Sequence, residues 1–164
     1  IYDNLETAVR EPHNKKAREN MSLGQYLAGL SFGSSGLGLV HAMAHQLGAG
    51  YHLAHGLCNA ILLPVVMEYD LAYCPKELAE VARLLDSKRC AGKSEEECAA
   101  YAVQIVNELS ERVGTKVWLE DLGVKEEDLP HLAERSLEDG CILTAPKIPE
   151  KEEIIKLFKK VMRS

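Results

Sequence analysis

Aromatic residues are scarce in this 164-residue chain, 5% by number, with a single tryptophan. That scarcity argues against a β-sandwich and against a base-stacking surface. Positive charge is also short: 19 Lys and Arg stand against 25 Asp and Glu, a net charge of -6. With no basic cluster, the chain is a poor partner for nucleic acid or an anionic membrane. The longest near-apolar run, Leu57 to Met67, is interrupted by Asn59 and Pro64. It falls short of the roughly 20 residues a membrane-spanning helix needs. No signal-peptide pattern opens the sequence. The five cysteines (Cys58, Cys74, Cys90, Cys98, Cys141) are odd in number and form no C-x-x-C pair. They read as free thiols of a cytoplasmic protein rather than a disulfide or zinc framework. Gly33, Gly36 and Gly38 crowd one stretch, but no strand precedes them and no Gly-x-Gly-x-x-Gly is present, which excludes a nucleotide fingerprint.

What is present is an ordinary globular balance, 46% hydrophobic and 27% charged, with helical periodicity almost throughout. The fold class expected is all-α, a multi-helical bundle occupying residues 1–164 as one domain. Ile1, Leu5 and Val9 recur at four-residue steps, so the chain opens inside a helical pattern and its start reads as a cut. From Lys16 to Phe32, Met21, Leu23, Tyr26, Leu27, Leu30 and Phe32 form a wide apolar stripe. Gly24, Gly29 and Gly33 lie near it. Each costs about 1 kcal/mol in a helix, so close approach of a second helix is their expected reason. Lys16 to Met67 should supply the central helices.

Pro75 reads as the first residue of a helix carrying Leu78, Val81, Ala82 and Leu85. Ser94 and Glu97 fit a capping box, opening the strongest amphipathic helix (Cys98, Tyr101, Ala102, Ile105, Val106, Leu109, Val113), with Gly114 as its stop. A helix over Asp128 to Asp139 should end at Gly140, and Pro149 precedes the last helix. At most Lys116 to Leu119 could be a strand. Pro64 should kink or interrupt its helix. Trp118 is expected to pack. Asp121, Glu126, Glu127 and Asp128 read as a solvated loop and helix start.

Four of the six histidines, His41, His45, His52 and His55, fall within fifteen residues. On a helix, His41 and His45 at i, i+4 share one face, and His55 follows just past a glycine-containing turn. Neutral imidazole is a good ligand for Fe(II), Zn(II) or Ni(II). Spacing alone pairs His41 with His45. The next acids along the chain, Glu68 and Asp70, are a helix length away, so the local sequence is short of a complete metal cage.

The segment GLGLVHAMAHQLGAGYHLAHGLCNAILLPVVMEYD resembles the signature of the iron-containing (group III) alcohol dehydrogenases, approximately G-x-x-H-x-x-A-H-x-x-G-x-x-x-x-x-x-H-G followed by N-A-x-L-L-P. The likeness extends through ARENMSLGQYLAGLSF upstream and EDLGVKEEDLPHLAERSLEDG downstream. It is greatest toward the lactaldehyde reductase (1,2-propanediol oxidoreductase) branch. The resemblance implies a C-terminal, metal-binding, dehydroquinate-synthase-like helical domain whose N-terminal dinucleotide-binding domain is absent from this chain.

It further implies Fe(II), with Zn(II) as the alternative, and NAD or NADP held mainly by the missing domain. The implied metal ligands here are His41 and His55, with an Asp and another His upstream of Ile1. His45 would be the catalytic residue near the nicotinamide and substrate, moving a proton, which reverses the pairing that spacing favours. The implied reaction is reversible, nicotinamide-linked oxidation of a primary alcohol or diol to an aldehyde, in a homo-oligomer. The chain alone should be inactive and should bind metal weakly.

Two departures stand out. Ala54 replaces the usual Pro before His55, which should loosen that turn. Leu143 to Lys147 stands where a Gly-Asn-Pro-Arg stretch is frequent. His52 occupies a variable position, as a surface residue or a substitute ligand. Cys141 aligns near the substrate cleft, with a buried spare thiol as its plainer role. The rival readings are a stand-alone, non-enzymatic helical metal-binding or assembly module, and a related zinc polyol dehydrogenase fragment. An apolar or glycine-lined docking surface is expected around Gly36 to Val40 and His41 to His55.

Overall fold

The computed structural model describes residues 1–163, and among them there are eight α-helices and no strand. The helices are α1 (Tyr2–Arg10), α2 (Lys15–Ser35), α3 (Gly38–Tyr51), α4 (His55–Asp70), α5 (Pro75–Leu85), α6 (Glu95–Val113), α7 (Leu129–Glu138) and α8 (Lys151–Lys160). Short 3₁₀ turns at Leu119–Leu122, Glu126–Asp128 and Gly140–Thr144 fill the second half. The all-α expectation holds.

Local chemistry sets most of the ends. Pro75 is at the start of α5, where a missing N–H is harmless. Ser94 and Glu97 make the reciprocal capping box of α6, and Gly114 ends that helix in the left-handed region at φ 76°. Asn14 caps α2 by accepting from the Ala17 N–H at 3.1 Å. The helix predicted to end at Gly140 is capped one residue earlier by Asp139, and Gly140 opens a 3₁₀ turn instead. Lys116 to Leu119 is not a strand; its link to the core is Leu119 N–H donating to the Val161 carbonyl at 3.0 Å.

Pro64 does not interrupt α4, which runs from His55 to Asp70 in one piece. The proline removes one backbone donor, and burial of Ile61, Leu62, Val66 and Met67 along the same helix offsets that loss.

Two apolar clusters hold the molecule. The larger joins α3 and α4 to α7, α8 and the 3₁₀ segments through Leu39, Met43, Leu47, Leu62, Leu129 and Phe158. The smaller joins the end of α4 to α5 and α6 through Met67, Leu78, Ala82, Cys98, Ala102 and Ile105. So α3 and α4 are central, as expected, but α2 is not. It packs chiefly on α1, and Leu23, Tyr26, Leu27 and Leu30 remain 54–60% exposed. Of its glycines, only Gly24 meets a close neighbour, where an added Cβ would stand 2.7 Å from Ile1 Cγ1; Gly29 and Gly33 face open space. Exposed apolar side chains therefore gather on α2, with Leu84 and Leu143 exposed elsewhere.

No single helix among the described residues is long and apolar enough to cross a membrane. Trp118 is 41% exposed and only partly fulfils its expected packing role. It borders a cavity of about 250 Å³ with Ala60, Pro64 and Val161.

The turn from α2 to α3 bends the chain by 108° and aims the histidine helix across the bundle. Gly36 and Gly38 sit there at φ 77° and 71°, a region costly for other residues. A side chain on Gly36 would also strike Thr144, whose Oγ1 accepts the Gly38 N–H at 3.1 Å. These glycines serve the turn.

Candidate metal and proton-relay centre

α3 carries His41 and His45 one turn apart, and buries Leu39, Ala42, Met43 and Leu47 on its other side. It ends at His52, whose φ of 56° reverses the chain. Three residues later His55 begins α4. Ala54 stands at φ -61°, the dihedral a proline would impose, so the turn keeps proline-like geometry without one. The loosening expected from the missing proline is not visible in its conformation.

The result is convergence of three imidazoles. Ring centroids are 5.3 Å apart for His41 and His55, 5.4 Å for His45 and His55, and 5.9 Å for His41 and His45. His52 is exposed at the helix end and is not among these ring pairs. Burial, then the neighbouring His55 and His45 rings, lower the His41 pKa below the ordinary histidine value, against smaller opposing effects of the Leu37 carbonyl and Asp139. A ring kept neutral in this way retains a lone pair for a metal.

Sequence reading missed the carboxylate. Neither Glu68 nor Asp70 serves the site: Glu68 pairs with Lys160 at 2.8 Å. Asp139 arrives from the end of α7, 94 residues beyond His45, and its Oδ2 lies 2.8 Å from His45 Nδ1. Gln46 Nε2 donates to the same oxygen at 3.4 Å, and the Cys141 N–H donates to Oδ1 at 2.9 Å. Burial pushes the Asp139 carboxyl up, but the Cys141 backbone N–H and the His45 ring outweigh it and hold the group below its usual range. No local signal could have marked this aspartate, because its partner is remote in sequence.

Asn59 was also missed as an individual residue. Its Nδ2 donates to His55 Nε2 at 2.9 Å and to the His55 carbonyl at 3.1 Å. Its Oδ1 is buried without a partner.

The donor set fits a metal that displaces the Asn59 N–H from His55 Nε2. Two imidazoles bound to one ion at about 2.0–2.1 Å place their ring centroids roughly 5 Å apart, close to both the His41–His55 and the His45–His55 separations. Cys141 also brings its sulfur within 4.8 Å of donor atoms of His45 and Asp139. That trio is a poorer cage. Both Asp139 oxygens already accept hydrogen bonds, and burial pushes the Cys141 thiol up, away from the thiolate a metal would need. The cavity beside Trp118 contains none of the histidines, and its Lys116 and Lys160 are paired with Glu111 and Glu68. The acidic stretch is likewise paired at the surface, Asp121 with Arg163, Glu126 with Lys159 and Glu127 with Lys125.

Known proteins resemble this chain along nearly its whole length. The family model for the Fe-containing alcohol dehydrogenase family, C-terminal, matches residues 1–162. The 1,3-propanediol dehydrogenase of Citrobacter freundii is 42% identical over 159 residues, covering 97% of this chain and 41% of that protein. The lactaldehyde reductase of Escherichia coli (strain K12) is 44% identical over 145 residues, covering 88% of this chain and 38% of that protein. A solved 1,3-propanediol oxidoreductase superimposes with a TM-score of 0.95 at 40% identity, covering 98% of this chain and 42% of that one. The chain thus spans about two fifths of the length of these relatives. Family model, sequence and superposition agree, and the chain belongs to the Fe-containing alcohol dehydrogenase family, as its C-terminal helical region.

Proposed function

We propose that this chain is the metal-holding half of a nicotinamide-linked alcohol dehydrogenase. It would act on a primary alcohol or diol and its aldehyde, in the cytoplasm. The observation that carries the reading is the convergence of His41, His45 and His55 from two helices, with ring centroids 5.3–5.9 Å apart. In this reading His41 and His55 are the ligands the chain gives to Fe(II), with Zn(II) the competing ion for such imidazoles. His45 is the proton relay beside the nicotinamide. The names of the relatives support a short diol or hydroxyaldehyde as substrate. When bound, the metal supplies a Lewis acid for the substrate oxygen, and the nicotinamide supplies the hydride exchange.

The chain's own residues have separable tasks. His41 and His55 present lone pairs from two helices whose relative position is fixed by the turn at Ala54. His45, anchored on the same helix as His41, holds a proton at one ring nitrogen and exchanges it at the other. Two histidines leave the metal sphere incomplete, so further ligands and the nicotinamide site would come from a dinucleotide-binding domain. The unpartnered stripe on α2 supports assembly with that domain and into a homo-oligomer.

The test is metal content and activity of the chain joined to a dinucleotide-binding domain of the family. His41→Ala and His55→Ala should each abolish metal retention. His45→Ala should retain metal while losing turnover by about 100-fold or more. Metal loss in His45→Ala with retention in His55→Ala would overturn the assignment and restore the pairing that spacing favours. Elemental analysis of the loaded protein decides between Fe and Zn.

A further inference from the structure

Both oxygens of Asp139 are committed: Oδ1 accepts the Cys141 N–H at 2.9 Å, and Oδ2 faces His45 Nδ1 at 2.8 Å with Gln46 Nε2 at 3.4 Å. An ionised carboxylate only accepts hydrogen bonds, so the proton in the Asp139–His45 contact belongs to Nδ1 of the ring. A neutral imidazole has one N–H, and Nε2 is then left with its lone pair. The aspartate is well placed to impose this choice. Its side chain is 16% exposed against 38% for His45, and it is anchored where α7 ends and the 3₁₀ turn Gly140–Thr144 begins.

We propose that Asp139 is a positioning residue that fixes His45 as the Nδ1–H tautomer and leaves Nε2 to exchange the substrate proton. The last clause rests on the reading of His45 as the relay; the tautomer itself does not. In alcohol oxidation the hydroxyl proton would pass to Nε2, and a nicotinamide held by the dinucleotide-binding domain would supply the acceptor for the hydride of the carbinol carbon. The imidazolium so formed keeps its Nδ1–H on Asp139, whose negative charge stabilises it. Aldehyde reduction runs the same transfers backwards.

Asp139→Asn is the informative change because it preserves shape and reverses polarity. The asparagine oxygen can still accept the Cys141 N–H, and its NH₂ then donates to His45 Nδ1, which drives the ring proton to Nε2. The same reversal creates the wrong tautomer in serine-protease triads.

The experiment is long-range ¹H–¹⁵N NMR of the His45 ring in this chain, at a pH where the imidazole is neutral. The wild-type ring should show Nδ1 protonated and Nε2 bare, and D139N should exchange the two. A bare Nδ1 in the wild type, or an unchanged ring pattern in a folded D139N, overturns the proposal. Should D139N lose its native backbone spectrum, the wild-type pattern decides alone. In the protein joined to its dinucleotide-binding domain, D139N should lower kcat about 100-fold with KM changed less than about threefold. An exchanged tautomer with undiminished kcat would uphold the assignment of Asp139 and sink the relay reading of His45.

Discussion

Helices α2 and α6 look alike in the sequence and have opposite fates in the fold. Both carry apolar residues at 3- and 4-residue steps, Leu23, Tyr26, Leu27 and Leu30 in one and Cys98, Ala102, Ile105 and Leu109 in the other. In α6 the stripe is sunk against α5 and the end of α4, with Ile105 1% exposed. In α2 the stripe faces out. The difference shows that periodicity identifies a face requiring a partner without saying where the partner is. Buried, such a face holds the molecule together; exposed, it is a surface for association.

The sharpest contrast is a truncation in each stripe. Ile105→Ala should destabilise the chain by about 2–5 kcal/mol through lost burial and a residual cavity. Leu27→Ala should shift it by less than about 0.5 kcal/mol, as for a surface site. Chemical denaturation of both variants checks this; equal losses would mean that α2 is as firmly packed as α6.

A charge at the edge of the α5–α6 cluster provides the next test. Asp70 closes α4, its Oδ1 is buried without a partner, and burial pushes its carboxyl up to about 6 from 3.8. The folded state therefore holds this proton more tightly than the unfolded chain. The resulting stabilisation is complete below about pH 4 and is lost as pH rises through about 6. Asp70→Asn should raise stability at pH 7 by about 1–2 kcal/mol, allowing for solvent screening of a partly exposed group. The gain should shrink toward pH 4 in thermal unfolding; a gain independent of pH would point to another cause.

The caps give a smaller effect of the same kind. Ser94→Ala removes the capping box of α6 and should cost about 1 kcal/mol of global stability. Asn14→Ala removes the comparable cap of α2, but α2 is weakly tied to the core. Its cost should appear as faster amide exchange in the first turn of α2, with little movement of Tm. A Tm loss as large as that of Ser94→Ala would erase the distinction between the helices. Smallest in stability is Leu27→Ser with Leu30→Ser, which should leave Tm nearly unchanged while weakening concentration-dependent self-association in sedimentation. Association undiminished by the pair would place the contact elsewhere.

The sequence by itself determined the helices and several of their ends. A capping box, an N-terminal proline and a left-handed glycine act within three to five residues, so Ser94, Pro75 and Gly114 were readable one by one. The histidine spacing and the motif around it likewise marked His41, His45 and His55 without coordinates. Only the tertiary structure decided what those rings meet. Asp139 reaches His45 across 94 residues because α3 and α7 share one apolar cluster, and nothing local to either residue encodes that meeting. The same holds for Ala54, whose proline-like φ is set by the turn between two packed helices, and for α2, whose stripe was legible while its lack of a cover was not. Short-range hydrogen bonds and sterics are written in adjacent residues; convergence of remote side chains depends on how whole helices pack.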